Sequence, residues 1–288
     1  MTIVFALCGA FSNALYLTTQ HIASTSGRSA KASGFRLVVS LVRSPLWLLG
    51  WLAGLGAFVF QAAALDRGQL SIVQALLVTE LIFGLVLRTL WLRQTVRPAA
   101  WIAAAVTSVG LAAFVAIDEP RGGVSTPGAH AWIAAVAALG GLALVLAIAA
   151  RGGSPRRRAA LYGIAAGITW ALVATFIKAA SETLTGSGIG ALFTHWPVYA
   201  LAVGGLAGVV LTQAALHVGP LSVSQPLLVI VDPSISVVLS VWLFREHYTG
   251  GAVAIVGTVV GFVVMCAGVV ALTRTAPATM SAADAPSP

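Results

Sequence analysis

The second half of this chain repeats the first. Gly68-Gln69-Leu70-Ser71-Ile72-Val73-Gln74-Ala75-Leu76-Leu77-Val78 returns as Gly219-Pro220-Leu221-Ser222-Val223-Ser224-Gln225-Pro226-Leu227-Leu228-Val229, at an offset of 151 residues. The same offset carries Trp91-Leu92 onto Trp242-Leu243 and Gly110 onto Gly261. A duplicated chain is held to a narrow set of folds, because both copies must adopt one structure and bury their surfaces against each other. The copies are also strongly apolar. Mean hydropathy is +0.97 and 8% of residues are charged, against about 25% in soluble domains. A water-soluble globule is therefore excluded, and the solvent is lipid.

A helix needs roughly 20 apolar residues to cross a hydrocarbon core of about 30 Å. The expected spans are 2–22, 46–66, 70–92, 98–117, 131–150, 159–179, 196–218, 221–244 and 249–272. The fold class is all-α, a polytopic membrane protein of nine helices. Segment 24–44 carries Arg28, Lys31, Arg36 and Arg43, a costly set to carry across lipid. It reads as a helix lying along the surface or dipping partway in. An earlier part of the repeat, at an offset of 157, sets Asn13-Ala14-Leu15 against Trp170-Ala171-Leu172 and His21 against Lys178. Spans one to four thus match spans six to nine, an odd step that inverts one half relative to the other. Such inverted repeats house their sites between the halves. The units are 1–117, a linker with span five at 118–158, 159–272, and a tail at 273–288 rich in Ala, Pro, Ser and Thr, which reads as disordered.

Arg28 to Arg43, Arg93 with Arg97, and Arg151 with Arg156 to Arg158 fall in the odd connections. Asp66 with Arg67, Asp118 and Glu119 with Arg121, Glu182, and Arg245 with Glu246 fall in the even ones. The positive-inside rule then puts the N-terminus outside and the C-terminus in the cytoplasm. An Ala- and Arg-rich chain of this kind suits a bacterial plasma membrane. The formal charge of +8 reflects this orientation rather than nucleic acid, since no basic run alternates with base-stacking aromatics. The first residues lack the charged n-region of a signal peptide and read as a retained span. Cys8 and Cys266, near opposite faces, read as small apolar residues. No cofactor motif and no metal-ligand spacing is present, and a homodimer is compatible with the sequence.

Ionisable and amide groups inside spans are the candidate site. Glu80 lies near the centre of span three and Asp232 near the centre of span eight, one place from the repeat partner of Glu80. A carboxylate at mid-bilayer costs at least about 2.5 kcal/mol on insertion scales and usually marks an ion or proton path. Pro226 and Pro233 are expected to break the helix around Asp232 and free the carbonyls of Ser222 and Val229. Gln74 and Gln225, the repeated amides, offer a donor and an acceptor each and would orient a polar substrate if they faced one cavity. Gln61, Gln213 and Asn13 are further polar groups at span centres. His21 and Lys178, at matching span ends, read as side chains snorkelling to the interface.

The duplicated spans, the Leu-Ser-x-x-Gln-x-Leu-Leu opening of span three, the Trp242-Leu243-Phe244-Arg245-Glu246 end of span eight and the glycine-bearing last helices at Gly110 and Gly261 resemble the drug/metabolite transporter superfamily, EamA-like, over residues 2–272. Within it, Gly68 to Gln74 is most similar to the NIPA-type magnesium transporters and their bacterial relatives. Where that group carries an acidic residue in span two, this chain has Gly56-Ala57-Phe58. The resemblance implies a non-enzymatic secondary transporter moving a small solute by alternating access, with proton coupling as the natural drive. Magnesium or another divalent cation is the alternative cargo. An intramembrane enzyme is the remote alternative, for which no nucleophile–base pair or metal set is found.

Overall fold

The computed structural model describes residues 1–25, 45–91, 96–117, 123–124, 127–219, 221–247 and 251–275. Most of segment 24–44, and the tail beyond Thr275, lie outside the described residues. Helices are α1 (Thr2–Thr25), α2 (Pro45–Arg67), α3 (Leu70–Leu77), α4 (Glu80–Leu90), α5 (Pro98–Ile117), α6 (Ala129–Ala135), α7 (Gly141–Ala149), α8 (Pro155–Leu192), α9 (Trp196–Val218), α10 (Leu221–Trp242) and α11 (Ala252–Thr275). Among the described residues, nine segments are long and apolar enough to cross a membrane. They coincide with the nine expected spans: α3 with α4 makes the third, and α6 with α7, joined by a π-turn at Val136–Gly140, makes the fifth. The protein is an all-α, multi-pass membrane protein.

Packing repeats as the sequence does. In the first half α1 lies against α2 and against α3 and α4; in the second, α8 lies against α9 and α10. The halves meet along α5 and α11, and again where α3 touches α10 and α2 touches α8. Glycine makes the first of these contacts close. A Cβ at Gly110 would sit 2.8 Å from the Gly261 carbonyl oxygen, and one at Gly261 would sit 2.7 Å from the Phe114 amide nitrogen. Gly110 and Gly261 are repeat partners. Equivalent positions in direct contact are what a two-fold relation between the halves produces on its axis.

Hydrogen bonds identify which helix ends share a face. Thr2 Oγ1 donates to the Arg67 carbonyl at 3.0 Å and Lys178 Nζ to the Gly68 carbonyl at 3.0 Å. The starts of α1 and α3, the end of α2, the Lys178 turn of α8 and, through a bond from the Leu70 N–H to Glu246, the chain just after α10 therefore lie together, on what we term the Met1 face. On the other face a Cβ at Gly163 would come within 2.9 Å of the Ser224 carbonyl, bringing the starts of α8 and α10 into contact.

Two elements depart from expectation. α8 has 38 residues, taken across a kink at Gly188, well beyond the expected span 159–179. Its last turns leave the bundle, where Thr185 Oγ1 donates to Asp66 at 2.9 Å, and it bends at Gly188, whose φ of 81° suits a residue without a Cβ. The prolines also behave differently. α10 runs through both Pro226 and Pro233 as one helix, so neither breaks it. Each proline removes one N–H, and the helix continues on either side of it.

Candidate functional site

The break falls instead in the third span, which has no proline. At Val78–Thr79 the ladder tightens to i→i−3 bonds: Val78 N–H to Ala75 O at 3.2 Å, Thr79 N–H to Leu76 O at 3.0 Å, Leu81 N–H to Val78 O at 3.2 Å. Thr79 Oγ1 also donates to Leu76 O at 2.7 Å, a local bond that competes with the helical ladder. The interruption makes Glu80 the first residue of α4. The N–H groups that follow it stay paired through the tightened turn, Leu81 to Val78 O at 3.2 Å, and Ile82 and Phe83 to Thr79 O at 3.0 Å.

Asn13 Nδ2 of α1 donates to Glu80 Oε2, so two sequence candidates from neighbouring spans are brought into direct contact. Asp232 lies within electrostatic reach of Glu80 and accepts from Ser236 Oγ at 3.3 Å. Asn13, Glu80 and Asp232 are each half-buried, while Pro233 and Ser236 beside Asp232 are buried. Two repeat-related spans thus each hold a carboxylate near mid-span, each bonded to one polar side chain of its own half. In the second half the repeat partner of Asn13 is Trp170, whose Nε1 donates to Thr212 Oγ1 at 2.9 Å. The polar centre is therefore asymmetric.

The amides are distributed differently. Gln74 is 4% exposed and its Nε2 has no partner among the described residues. Gln225 is half-buried and engaged. The third and eighth spans are antiparallel, so Gln74 stands about 9 Å toward the Met1 face from Glu80 and Gln225 about 10 Å toward the other face from Asp232. The repeated amides therefore lie toward opposite faces rather than in one cavity. Gln61 is half-buried, in line with the buried Ala57, Ala64 and Leu65, and its backbone nitrogen would lie 3.5 Å from a Cβ at Gly9 of α1. Gln213 shares the exposed stripe of Val203, Leu206 and Val210 on α9 and is not brought to the other candidates.

A second polar cluster escaped the sequence reading. Lys178 does not snorkel: it is 8% exposed, with Nζ 3.7 Å from Glu246 Oε1 and 5.0 Å from the Phe244 ring centroid. Glu246, 3% exposed, accepts from the Leu70 backbone N–H at 3.2 Å and from Ser71 Oγ at 3.5 Å. Arg245, with a φ of 54°, turns the chain after α10 so that Glu246 folds back inward, its N–H donating to the Ser240 carbonyl at 2.9 Å. Phe244 and Phe176 also close on Trp132, and Trp132 on Trp196 at 4.9 Å. The sequence signal was that Lys178 and Glu246 stand at the ends of spans six and eight, on one face. Folding the loop back, which brings them together, leaves no mark in hydropathy.

Among the described residues no group of three or more His, Cys, Asp or Glu gathers in a metal-holding arrangement. No protein-family profile matches the chain, and no solved structure matches it. A protein of Corynebacterium glutamicum described as uncharacterized is 25% identical over 284 residues, covering 96% of this chain and 95% of its own length. The likeness takes in both halves.

Proposed function

We propose that this protein is a secondary transporter of the drug/metabolite type that moves a small solute across a bacterial plasma membrane by alternating access, driven by protons. The observation that carries this reading is that two repeat-related spans each hold a carboxylate at mid-span, Glu80 and Asp232, within electrostatic reach of one another, Glu80 where the ladder of its span is interrupted. Interrupted helices at the interface of repeats are where secondary transporters hold their ligands. A carboxylate in the membrane interior is expensive to keep and serves ion or proton movement.

In this mechanism Asp232 is the principal proton site and Glu80 its partner, held by Asn13. Protonation neutralises the centre and lets the halves rock about the α5–α11 contact, while deprotonation on the other side resets it. One charge moved across 100 mV supplies about 2.3 kcal/mol, enough for a substantial solute gradient. The N-terminus lies outside and the C-terminus in the cytoplasm, as the loop charges imply.

The reading is tested by reconstituting the protein in liposomes and recording currents on a solid-supported membrane. The panel holds amino acids, cationic drugs, magnesium and other divalent cations, with and without a pH gradient. The expected result is an organic-solute current that needs the gradient and is lost in Asp232→Asn and Glu80→Gln. Wild-type currents in both variants would contradict it. A magnesium current independent of pH would move the protein to the divalent-cation reading.

A further inference from the structure

The buried pair Lys178–Glu246 is an unusual use of charge. Removing two charged groups from water costs several kcal/mol each, and such a pair is often no more stable than apolar residues of the same size. Its bonds explain its presence better than stability does. Both residues belong to the second half of the molecule, and both reach the first half at one place, the start of α3. Lys178 Nζ donates to the Gly68 carbonyl. Glu246 accepts from the Leu70 N–H and from Ser71 Oγ. α3 has no side-chain cap of its own, for Gln69 at its N-cap makes no such bond. The orphan N–H groups that every helix leaves at its start are met here by a carboxylate of the other half, with the favourable sign for the dipole.

We propose that Lys178 and Glu246 form a latch that closes the Met1 face by tying the start of the third span to the opposite half, and that it must release for that face to open. The inference rests on the transport reading, since opening and closing are what alternating access requires. The latch is directional. Ser71, Gln74 and Val78 follow one another down a single buried face of the third span, so the tie at Ser71 stands over that face, with the unpartnered Gln74 Nε2 beneath it. It is also one-sided. The repeat sets His21 opposite Lys178 and Thr95 opposite Glu246, so the sequence supplies no lysine–carboxylate pair at the equivalent place in the other half. The aromatic group around Trp132 lies beside the latch, with Lys178 over Phe244, and shields the pair from water.

The test is accessibility and needs no substrate. Val78, 4% exposed, is replaced by cysteine in a Cys8→Ser, Cys266→Ser background. Reaction with a membrane-impermeant maleimide is then timed in intact cells and in inverted vesicles. With the latch intact, labelling is slow. Glu246→Ala and Lys178→Ala are each expected to raise the rate at least about tenfold in one of the two preparations, and the double variant to go no further than the singles. Thermal melting of each purified variant shows that it remains folded. Should a latch variant fail to fold, Ser71→Ala with Phe244→Leu, which weakens the same contacts, replaces it. Folded variants with unchanged labelling in both preparations would overturn the latch and leave the transport reading untouched. A faster rate without any transport would uphold the latch and count against that reading alone.

Discussion

At the scale of single residues, two carboxylates do different work because their surroundings differ. Glu80 faces Asn13; Glu246 faces Lys178, the Leu70 amide and the hydroxyls of Ser71 and Ser240. Burial, the dominant influence, pushes the Glu246 carboxyl above its ordinary value of 4.5, while Lys178, the Leu70 amide, Ser240 and Ser71 pull it down. A raised value in the folded state means the fold binds this proton more tightly than the unfolded chain does. The resulting stabilisation is complete below the ordinary glutamate value and is lost as pH rises through the raised one. Melting of the wild type should therefore decline with rising pH relative to Glu246→Gln, starting just above pH 4.5; a constant difference across that window would contradict it. Asn13 gives a second prediction. Asn13→Leu removes the Asn13 donor to Glu80, so gradient-driven transport should fall at least about tenfold while Asn13→Gln retains part of it. Equal activity in both variants would dismiss the contact.

At the scale of elements, the close crossing of α5 and α11 and the interruption of the third span set what can move. Gly110 and Gly261 leave no room for a side chain against the facing backbone. Gly261→Leu must force the helices apart, at about 1–3 kcal/mol for an overpacked contact, read as a lower melting temperature in detergent; Gly205→Leu, whose Cβ would meet nothing, is the control expected to melt like wild type. The helix interruption shows where sequence reasoning reached its limit. Proline was the visible breaker in the eighth span, yet α10 passes through it while the span without proline is interrupted. Proline removes one N–H, a local loss on either side of which the helix continues. The break at Thr79 depends on the hydroxyl bonding back to Leu76 and on the backbone tightening around it, a choice that composition does not record.

At the scale of the whole molecule, the nine spans and the duplicated halves were legible because both follow from long apolar runs and a fixed offset, signals that tertiary contacts do not alter. Glu80 and Asp232 were legible for the same reason: a carboxylate in a long apolar run stands out wherever the helix is placed. The bond between Glu80 and Asn13, the separation of Gln74 from Gln225, the outward stripe that carries Gln213 and the buried Lys178–Glu246 pair were not, since each depends on which face of a helix turns inward or how a loop folds back. The architecture that results is two halves in close contact at Gly110 and Gly261, a carboxylate at mid-span in each, and a charged tie across one face. The most direct test of this account separates binding from coupling in proteoliposomes. With the cargo found on the substrate panel, Asp232→Asn and Glu80→Gln should still exchange labelled for unlabelled solute, yet fail to accumulate it when a proton gradient is imposed. Accumulation at the wild-type level in both variants would contradict proton coupling through these carboxylates.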